Sequence, residues 1–546
     1  MLINVLNYLK HLAMVIFCRQ KRGGYHKDLV SSKVIYRREE KTIALVMVAC
    51  MMLFSFSSCN NYLDDNEIHY AASEEQQWNN LADVRSALMG VYGLMRAALA
   101  ENDTHWICGD LRYGDFKSYN RSDLQAVMDN KLNGNYDLLN DLSSWRRFYA
   151  VINAAAVFIE KAPQVVDEDP KYSDVNLDYD IAQARAIRAF AYFYMVRIWG
   201  DVPLITQSYD NGSFPKIAQS PAETVLNYCK NELLAVVNNL PFLYGVSPST
   251  YYDYNYDYWE GELFNKLTAY AVLAHIAAWK GNYADVDAYT SYILDNLKEI
   301  IASYSDVDYL TSKTGLFKEK NGSKILGFSF DNDYQETSQT GHIEDLTLAY
   351  PFVQQVFPEI YVSKDSIYSI FNDLSDLRFG IDTTTMDYET NYFYNMNTPV
   401  PVFSKIKVVK DGVSDGDYAV FGSSIIFTRP EEIALLRAEA LVVLNRPDEA
   451  LALLNAFRET RGLVILRFSE DLDGDNKKLL KNIFEERRRE LMGEGWRWYD
   501  QIRYQRLVGD NPEIVALINS DGGIYWPVAK SVLQANPLLK QNSYWK

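Results

Sequence analysis

From about residue 74 onward, apolar residues recur at three- and four-residue steps. Leu81, Val84, Leu88, Val91, Leu94 and Met95 form one stripe, the pattern of a helix with a single buried face. Trp145, Phe148, Tyr149, Ile152, Ala156 and Ile159 form a second, and Ile181, Ala184, Ile187, Phe190, Ala191 and Tyr194 a third. The third is expected to end near Gly200, with Pro203 beyond it. Further helices are predicted over roughly 221–238, 262–280 and 284–300, and a late set over about 431–445, 447–461 and 477–492. Between them, 101–140, 240–260 and 305–430 show no helical period and are rich in Tyr, Asp, Asn, Ser and Gly. Irregular stretches this long either carry a function or are disordered, and their aromatic content favours function.

Several predicted helices come in pairs. Ala269, Ala271, Ala274, Ala277 and Ala278 precede a Gly281-Asn282 break and a second helix. Arg437 to Ala440 precede Asn445-Arg446-Pro447, followed by Ala450, Leu453, Leu454 and Phe457. Helix, short turn and helix with small residues at the contacts resembles tetratricopeptide repeats. A strict 34-residue period is absent, so the pairs are degenerate; an unrelated α-bundle is the alternative.

The amino-terminal part follows a different pattern. Ile43 to Phe54 is an unbroken apolar run, far shorter than the ~20 residues a spanning helix needs. Basic residues precede it, and Ser55, Phe56, Ser57, Ser58 and Cys59 follow. That order is the n-region, h-region and cleavage region of a secretory signal. A Cys directly after small residues resembles a bacterial lipobox, with Cys59 lipidated as the mature amino terminus; an ordinary signal peptide with an incidental Cys is the alternative. Arg37-Arg38 reads as n-region charge, since Glu39-Glu40 follow at once. Met1 to Cys18, apolar but interrupted by Asn4, Asn7, Lys10 and His11, fits the scheme badly and reads as over-extended translation. The chain is accordingly divided into a leader (1–58), an acidic tether (59–73), an amino-terminal helical region (74–300) and a carboxyl-terminal region (301–546). No other apolar run approaches spanning length, so attachment to a membrane would be by lipid.

Charge sharpens this division. The 546 residues carry a net charge of −18. Residues 1–58 hold nine Lys or Arg against three acids, which leaves −24 for the rest. A body this acidic is a poor candidate for gripping phosphate backbones, so nucleic acid is not an expected partner. Beyond Cys59 only Cys108 and Cys229 remain, too few for a disulfide scaffold, and their spacing does not say whether they pair. The 40 Tyr outnumber 25 Phe and 10 Trp. Tyr joins an apolar ring to a hydroxyl and suits wet recognition surfaces as well as cores.

Catalytic and metal signatures are missing. His69, His105, His275 and His342 form no HExxH pair and no Cys/His cluster, and there is no GxSxG elbow or Walker loop. Gly493-Glu494-Gly495 lacks the strand and third Gly of a nucleotide fingerprint. Asp471, Asp473 and Asp475 alternate as calcium ligands do, but Gly474 is misplaced for an EF-hand and no Glu closes the loop. A solvated acidic turn is the preferred reading there. No cofactor is expected, and calcium is the one metal with any pattern in its favour.

Three segments together resemble the SusD/RagB family, surface glycan-binding lipoproteins of Bacteroidetes. The first runs Ala184-Arg185-Ala186-Ile187-Arg188-Ala189-Phe190-Ala191-Tyr192-Phe193 through Val196-Arg197-Ile198-Trp199-Gly200-Asp201-Val202-Pro203-Leu204. The second is Glu432 to Ala440, with Leu453-Leu454-Asn455 and Arg458. The third is Glu486-Arg487-Arg488-Arg489-Glu490-Leu491 with Gly495 to Asp500, closing on Trp526-Pro527-Val528, Asn536-Pro537 and Gln541-Asn542. With the lipobox and the polar Asn60–Glu67 tether, the resemblance covers residues 59–546. These motifs are read as fold-keeping: Arg188, Arg197 and Trp199 pack and pair within the scaffold, Arg487 to Glu490 make local ion pairs on a helix, and Trp526-Pro527 docks the tail.

The resemblance implies a mainly α fold: a tetratricopeptide-like helical-pair scaffold with an irregular, loop-rich ligand-binding subdomain. It implies a cell-surface lipoprotein of the outer membrane that captures oligo- or polysaccharide without chemistry and delivers it to a SusC-like TonB-dependent transporter. A secreted glycan hydrolase on a helical scaffold and a peptide-capturing RagB-like protein are the rivals. Sugar C–H faces pack on aromatic planes while hydroxyls need polar partners. Two loop stretches fit: Trp106, Tyr113 and Tyr119 with Asp110, Arg112 and Asp115, and Tyr252, Tyr254 and Trp259 within the Tyr-dense run from Tyr251. The second is either a site or a loop folded onto the core or onto the transporter.

Overall fold

The first apolar stripe becomes helix α1 (Leu81–Ala100), which begins where the Asn80 side chain accepts hydrogen bonds from the N–H groups of Ala82 and Asp83. The computed structural model that shows this describes residues 78–546, apart from 210–214, 319, 331–335, 382–387, 390 and 415. The leader, the tether and Cys59 lie outside the described residues. The second and third stripes are α2 (Arg146–Lys161) and α3 (Asp174–Trp199). From Ala182 to Trp199 only Arg185 of α3 escapes full burial. Helix α3 is therefore the central pillar, with α1, α2 and α4 (Ala222–Val236) packed around it. It stops at Gly200, whose φ of 77° and closeness to the Tyr525 ring (2.7 Å from where a Cβ would stand) exclude a side chain.

Helices α5 (Lys266–Lys280) and α6 (Tyr283–Asp295) are joined by Gly281-Asn282, as the small-residue pattern implies. The Asn282 side chain caps α6. Helices α7 (Pro430–Val443) and α8 (Pro447–Glu459) each open with Pro in the first turn, where no N–H is required. Ala274, Ala277 and Ala278 of α5 meet Leu436 and Ala440 of α7 with Val286 of α6 beside them, so the small residues mark the close contacts. Helices α9 (Asn476–Glu490) and α10 (Arg497–Leu507) complete a mainly α scaffold of helical pairs.

The irregular stretches are short elements rather than bare loops. Residues 101–140 contain small helices at Ser122–Met128 and Asp137–Leu142 and a strand at Phe116–Ser118. That strand pairs antiparallel with Ile360–Val362, and Leu326–Phe328 pairs with Ile425–Thr428. Val409–Lys410 pairs with Val420–Phe421. One continuous apolar core runs from Trp78 to Trp545, so the two regions distinguished in the sequence share it, and Trp78–Lys546 form one compact unit. Trp526 is buried and its N–H donates to the carbonyl of Ile198 at 2.7 Å, which docks the tail on α3. Among the described residues no helix is long and apolar enough to cross a membrane.

A second, ionic core lies beneath α9. Glu490 is fully buried and accepts from Arg461 (2.9 and 2.9 Å), Arg429 (2.9 Å) and Arg378 (3.2 Å). Arg378 also grips Asp376 in a fork (2.9 and 2.8 Å) and reaches Glu486 at 2.6 Å. Arg429 holds Glu494 (2.9 and 2.8 Å), which also binds Lys405. Arg487 bonds Asp500 and Glu432, and Glu432 bonds His275 at 3.0 Å. The expected local pairing along α9 holds only for Arg488–Glu485 and Arg489–Glu486. Arg487 and Glu490 pair far along the chain instead, because they face inward, where a charge must find a partner. The surrounding guanidinium groups overcome burial and hold Glu490 well below the usual carboxylate range. Arg197 lies over the rings of Tyr499 (4.2 Å) and Tyr194 (4.4 Å), and Arg188 pairs with Glu232.

Removing one member leaves buried charges uncompensated. Glu490→Gln is expected to lower unfolding stability at neutral pH by about 3–5 kcal/mol, read from urea unfolding; a loss under ~1 kcal/mol would show that the lattice does not bear on the fold.

Candidate functional site

Helix α1 forms the common wall of two clefts. The first, of about 1110 Å³, is lined by Arg85, Met89, Tyr92, Gly93 and Arg96 of α1. Tyr258, Trp259 and Glu262 form another side, Lys313, Thr314, Lys318 and Lys320 with Phe328 to Phe330 a third, and Val408 to Lys410 the far wall. The second, of about 740 Å³, continues past the end of α1 along Ala97 to Asp103. It is closed by Arg121, Gln339 to Gly341, Asp345, Val353 to Gln355, Glu359 and Asp417 to Ala419. A bridge between Ser338 and Phe421 separates the two.

The Tyr-dense run reaches the first cleft because of one buried carboxylate. Asp180 of α3 accepts the hydroxyls of Tyr251, Tyr252 (2.6 Å) and Tyr172 (2.9 Å). Gln183 donates to Tyr251, and Tyr92 donates to Gln183. This pins one half of the run in the core, with Tyr252 and Asp253 forced to φ of 52° and 68°. In the other half Tyr254 and Tyr258 are half-buried and Trp259 is buried beneath them. Tyr254 and Tyr258 stack at 3.9 Å, Trp259 stands edge-on to both, and Arg85 lies 4.8 Å above Tyr254. Lys320 lies 4.2 Å from the Tyr258 ring. Arg96 covers Phe330 and forks onto Glu336 at 2.6 and 2.8 Å.

At the second cleft the chain leaves α1 through Asn102 and Asp103, both left-handed at φ 56° and 53°. Asp103 is only 8% exposed. Asp103 Oδ1, Asp345 Oδ1 and Asn102 Nδ2 are buried without a protein partner. Burial first, then Glu359 and other acids, push Asp103 well above the carboxylate range, and burial with Asp103 does the same to Asp345. Arg121 sits on the rim, held by Asp123 and Glu359. Tyr418, 75% exposed, lines this cleft, and Tyr119, two residues before Arg121, tilts on Phe357, two residues before Glu359, at 4.7 Å.

The candidate residues read from the sequence thus separate. Tyr119 is exposed and packs on Phe357, Trp259 is among the residues of the first cleft but only 6% exposed, and Tyr254 stacks behind the Tyr258 wall of that cleft. Trp106 is 3% exposed and packs edge-on to His105 at 5.5 Å. Tyr252 is buried on Asp180, and Tyr113 stacks on Trp498 at 5.7 Å. The polar neighbours of Trp106 serve the scaffold. Asp110 accepts the N–H of Gly495 at 2.6 Å, Arg112 donates to Ile524 O at 2.6 Å, and Asp115 pairs with Arg488 and Arg497. Gly495 has φ 78°, and a Cβ there would stand 2.5 Å from His105. Phe330, Tyr418, Lys313, Lys318, Lys320 and Lys410 are not singled out by the sequence pattern because they lie in the irregular 305–430 stretch, where no period marks which residues face a cleft; Arg85 and Arg96 are on α1. Asp471 bonds Arg467, Asp473 pairs with Lys478 and Asp475 caps α9, so these acids serve local turns. Cys108 and Cys229 are both buried and free.

The SusD family model matches residues 407–545. A SusD superfamily protein from Bacteroides thetaiotaomicron has a crystal structure that is 57% identical, with a TM-score of 0.80 over 86% of this chain and all of that one. A SusD-like protein of Formosa agariphila is 26% identical over 92% of this chain and 99% of its own length. A structure described as a laminarin binding SusD-like protein superposes with a TM-score of 0.63 at 19% identity, covering 85% of this chain and all of that one. The chain belongs to the SusD superfamily.

The raised Asp103 has a consequence for stability. The folded state holds a proton there more tightly than the unfolded chain, so this group's contribution falls as pH rises from about 4 through neutrality. Asp103→Asn is expected to raise the melting temperature at pH 8 and to leave it nearly unchanged at pH 4; an equal shift at both pH values would contradict the assignment.

Proposed function

We propose that this protein binds glycans in the second cleft and acts as a surface capture protein without chemistry of its own. The observation that carries the reading is the pairing of unlike groups at one mouth. Two carboxyl oxygens and one amide nitrogen, buried without protein partners, belong to a cleft that the exposed Tyr418 ring also lines, and the Tyr119–Phe357 ring pair stands two residues from its Arg121 and Glu359. A sugar supplies hydroxyl donors for the carboxylates and C–H faces for the rings. Membership of the SusD superfamily and the laminarin-binding description of a distant relative support the same class.

The setting follows from the family. Cys59 would carry the lipid that holds the acidic body at the outer membrane, probed by no described residue. A SusC-like TonB-dependent transporter would be the partner that receives the glycan. A hydrolase reading would need cleavage of a bound glycan, and a peptide-capturing reading would need affinity for oligopeptides.

The test is retention of the purified protein on immobilised laminarin, starch, xylan and galactomannan, with the release of reducing sugar followed in parallel. On a retained glycan, Tyr418→Ala and Phe357→Ala are each expected to weaken binding about tenfold, or ~1.4 kcal/mol, with the melting temperature unchanged. Parental affinity in both variants would place binding elsewhere, and steady release of reducing sugar would favour the hydrolase.

A further inference from the structure

The first cleft has the opposite electrical character from the protein that contains it. The chain carries −18 overall. Yet among the described residues this cleft is lined by Arg85, Arg96, Lys313, Lys318, Lys320 and Lys410 against Glu262 and Glu336 only. Both acids are engaged: Glu336 by Arg96, and Glu262 by Lys324 at 3.2 Å and Ser329 N at 3.1 Å. The other five cations have no carboxylate partner among the described residues. Glu319, Asp331 and Asp333 adjoin this wall in sequence outside the described residues, and with all three the cations still outnumber the acids.

Like charges gathered in a concave wall repel one another, more so where water is partly excluded. Lys407, partly buried next to Val408 of this wall, registers this: desolvation and then the Lys313 charge push it down to about 8. Two of the cations lie over rings, Arg85 over Tyr254 and Lys320 over Tyr258, which keeps them at the wall. The second cleft, across the Ser338–Phe421 bridge, is lined by Glu101, Asp103, Asp345, Glu359 and Asp417 against the single cation Arg121 among the described residues.

We propose that the first cleft is a separate binding site for acidic sugars, units bearing a carboxylate or a sulfate ester. Lys318, Lys320 and Arg85 meet the anion, at the wall where Lys320 covers Tyr258 and Arg85 covers Tyr254. The inference rests on the glycan reading and adds the sign of the ligand's charge.

The test compares matched polymers on the purified protein: polygalacturonate against its methyl ester, and dextran sulfate against dextran. At least one acidic polymer is expected to bind about tenfold more tightly than its neutral counterpart. The difference shrinks as salt rises from about 0.01 to 0.15 M, where the screening length falls from ~30 to ~8 Å. The double variant Lys318→Gln, Lys320→Gln is expected to lose about tenfold on that polymer. Lys540→Gln, in the carboxyl-terminal tail and lining neither cleft, should not change it. The polymer that binds identifies carboxylate or sulfate as the recognised group. Equal affinity for acidic and neutral polymers, no binding of either acidic polymer, or an equal loss in Lys540→Gln would overturn the proposal. Binding of neutral glycans with indifference to the acidic ones would overturn it while leaving the glycan reading intact.

Discussion

The fold turns on the burial of Glu490 among Arg378, Arg429 and Arg461. A carboxylate taken out of water is tolerated only with full compensation, and here the compensation comes from three separate parts of the chain. Arg378 brings in the segment before the 393–403 strands, Arg429 the approach to α7, and Arg461 the end of α8. Glu494 and Lys405 extend the lattice to the loop after α9 and to the strand region that ends in the wall of the first cleft. Each cation satisfies a buried acid only in one geometry, so the lattice orients a loop-rich segment whose own strands are two to four residues long.

Asp180 does the equivalent for the Tyr-dense run. Three phenolic hydroxyls converge on it, which drives Tyr251 and Tyr252 inward and leaves Tyr254 and Tyr258 facing Arg85 and Lys320. The same composition that reads as a recognition loop is therefore half core and half surface. In both places a buried acid converts an irregular stretch into a defined wall. The two clefts that result share helix α1 and differ in sign, one acidic with the exposed Tyr418 ring in its lining, the other basic with stacked rings along its side.

Helices were legible because their signal is local. The stripes at Leu81–Met95 and Ile181–Tyr194 and the Gly281-Asn282 break all act within a few residues, and the structure places them with small shifts at the ends. The pairing of α5, α6 and α7 was legible from small residues at the contacts. The candidate contacts were legible only as a composition. Trp106 and Tyr252 have the right chemistry for a sugar site, but His105 and Asp180 draw them into the core. Trp259 is among the residues of the first cleft and Tyr119 is exposed on Phe357, and no nearby pattern separates them from the other two.

The chain's periodicity sufficed to specify a mainly α scaffold and residue counting its acidity, while the family resemblance rested on three ordered motifs; each depends on short-range spacing or on counting. Which tyrosines face a cleft, where the arginines of α9 find partners and why basic residues gather in one wall of an acidic protein depend on contacts between residues tens to hundreds of positions apart. Arg378 meets Glu490 and Arg96 meets Glu336 across such separations. Burial sets those pairings, because a charge inside the protein must be matched by whatever the folded chain brings alongside it, and only the packed structure fixes what that is.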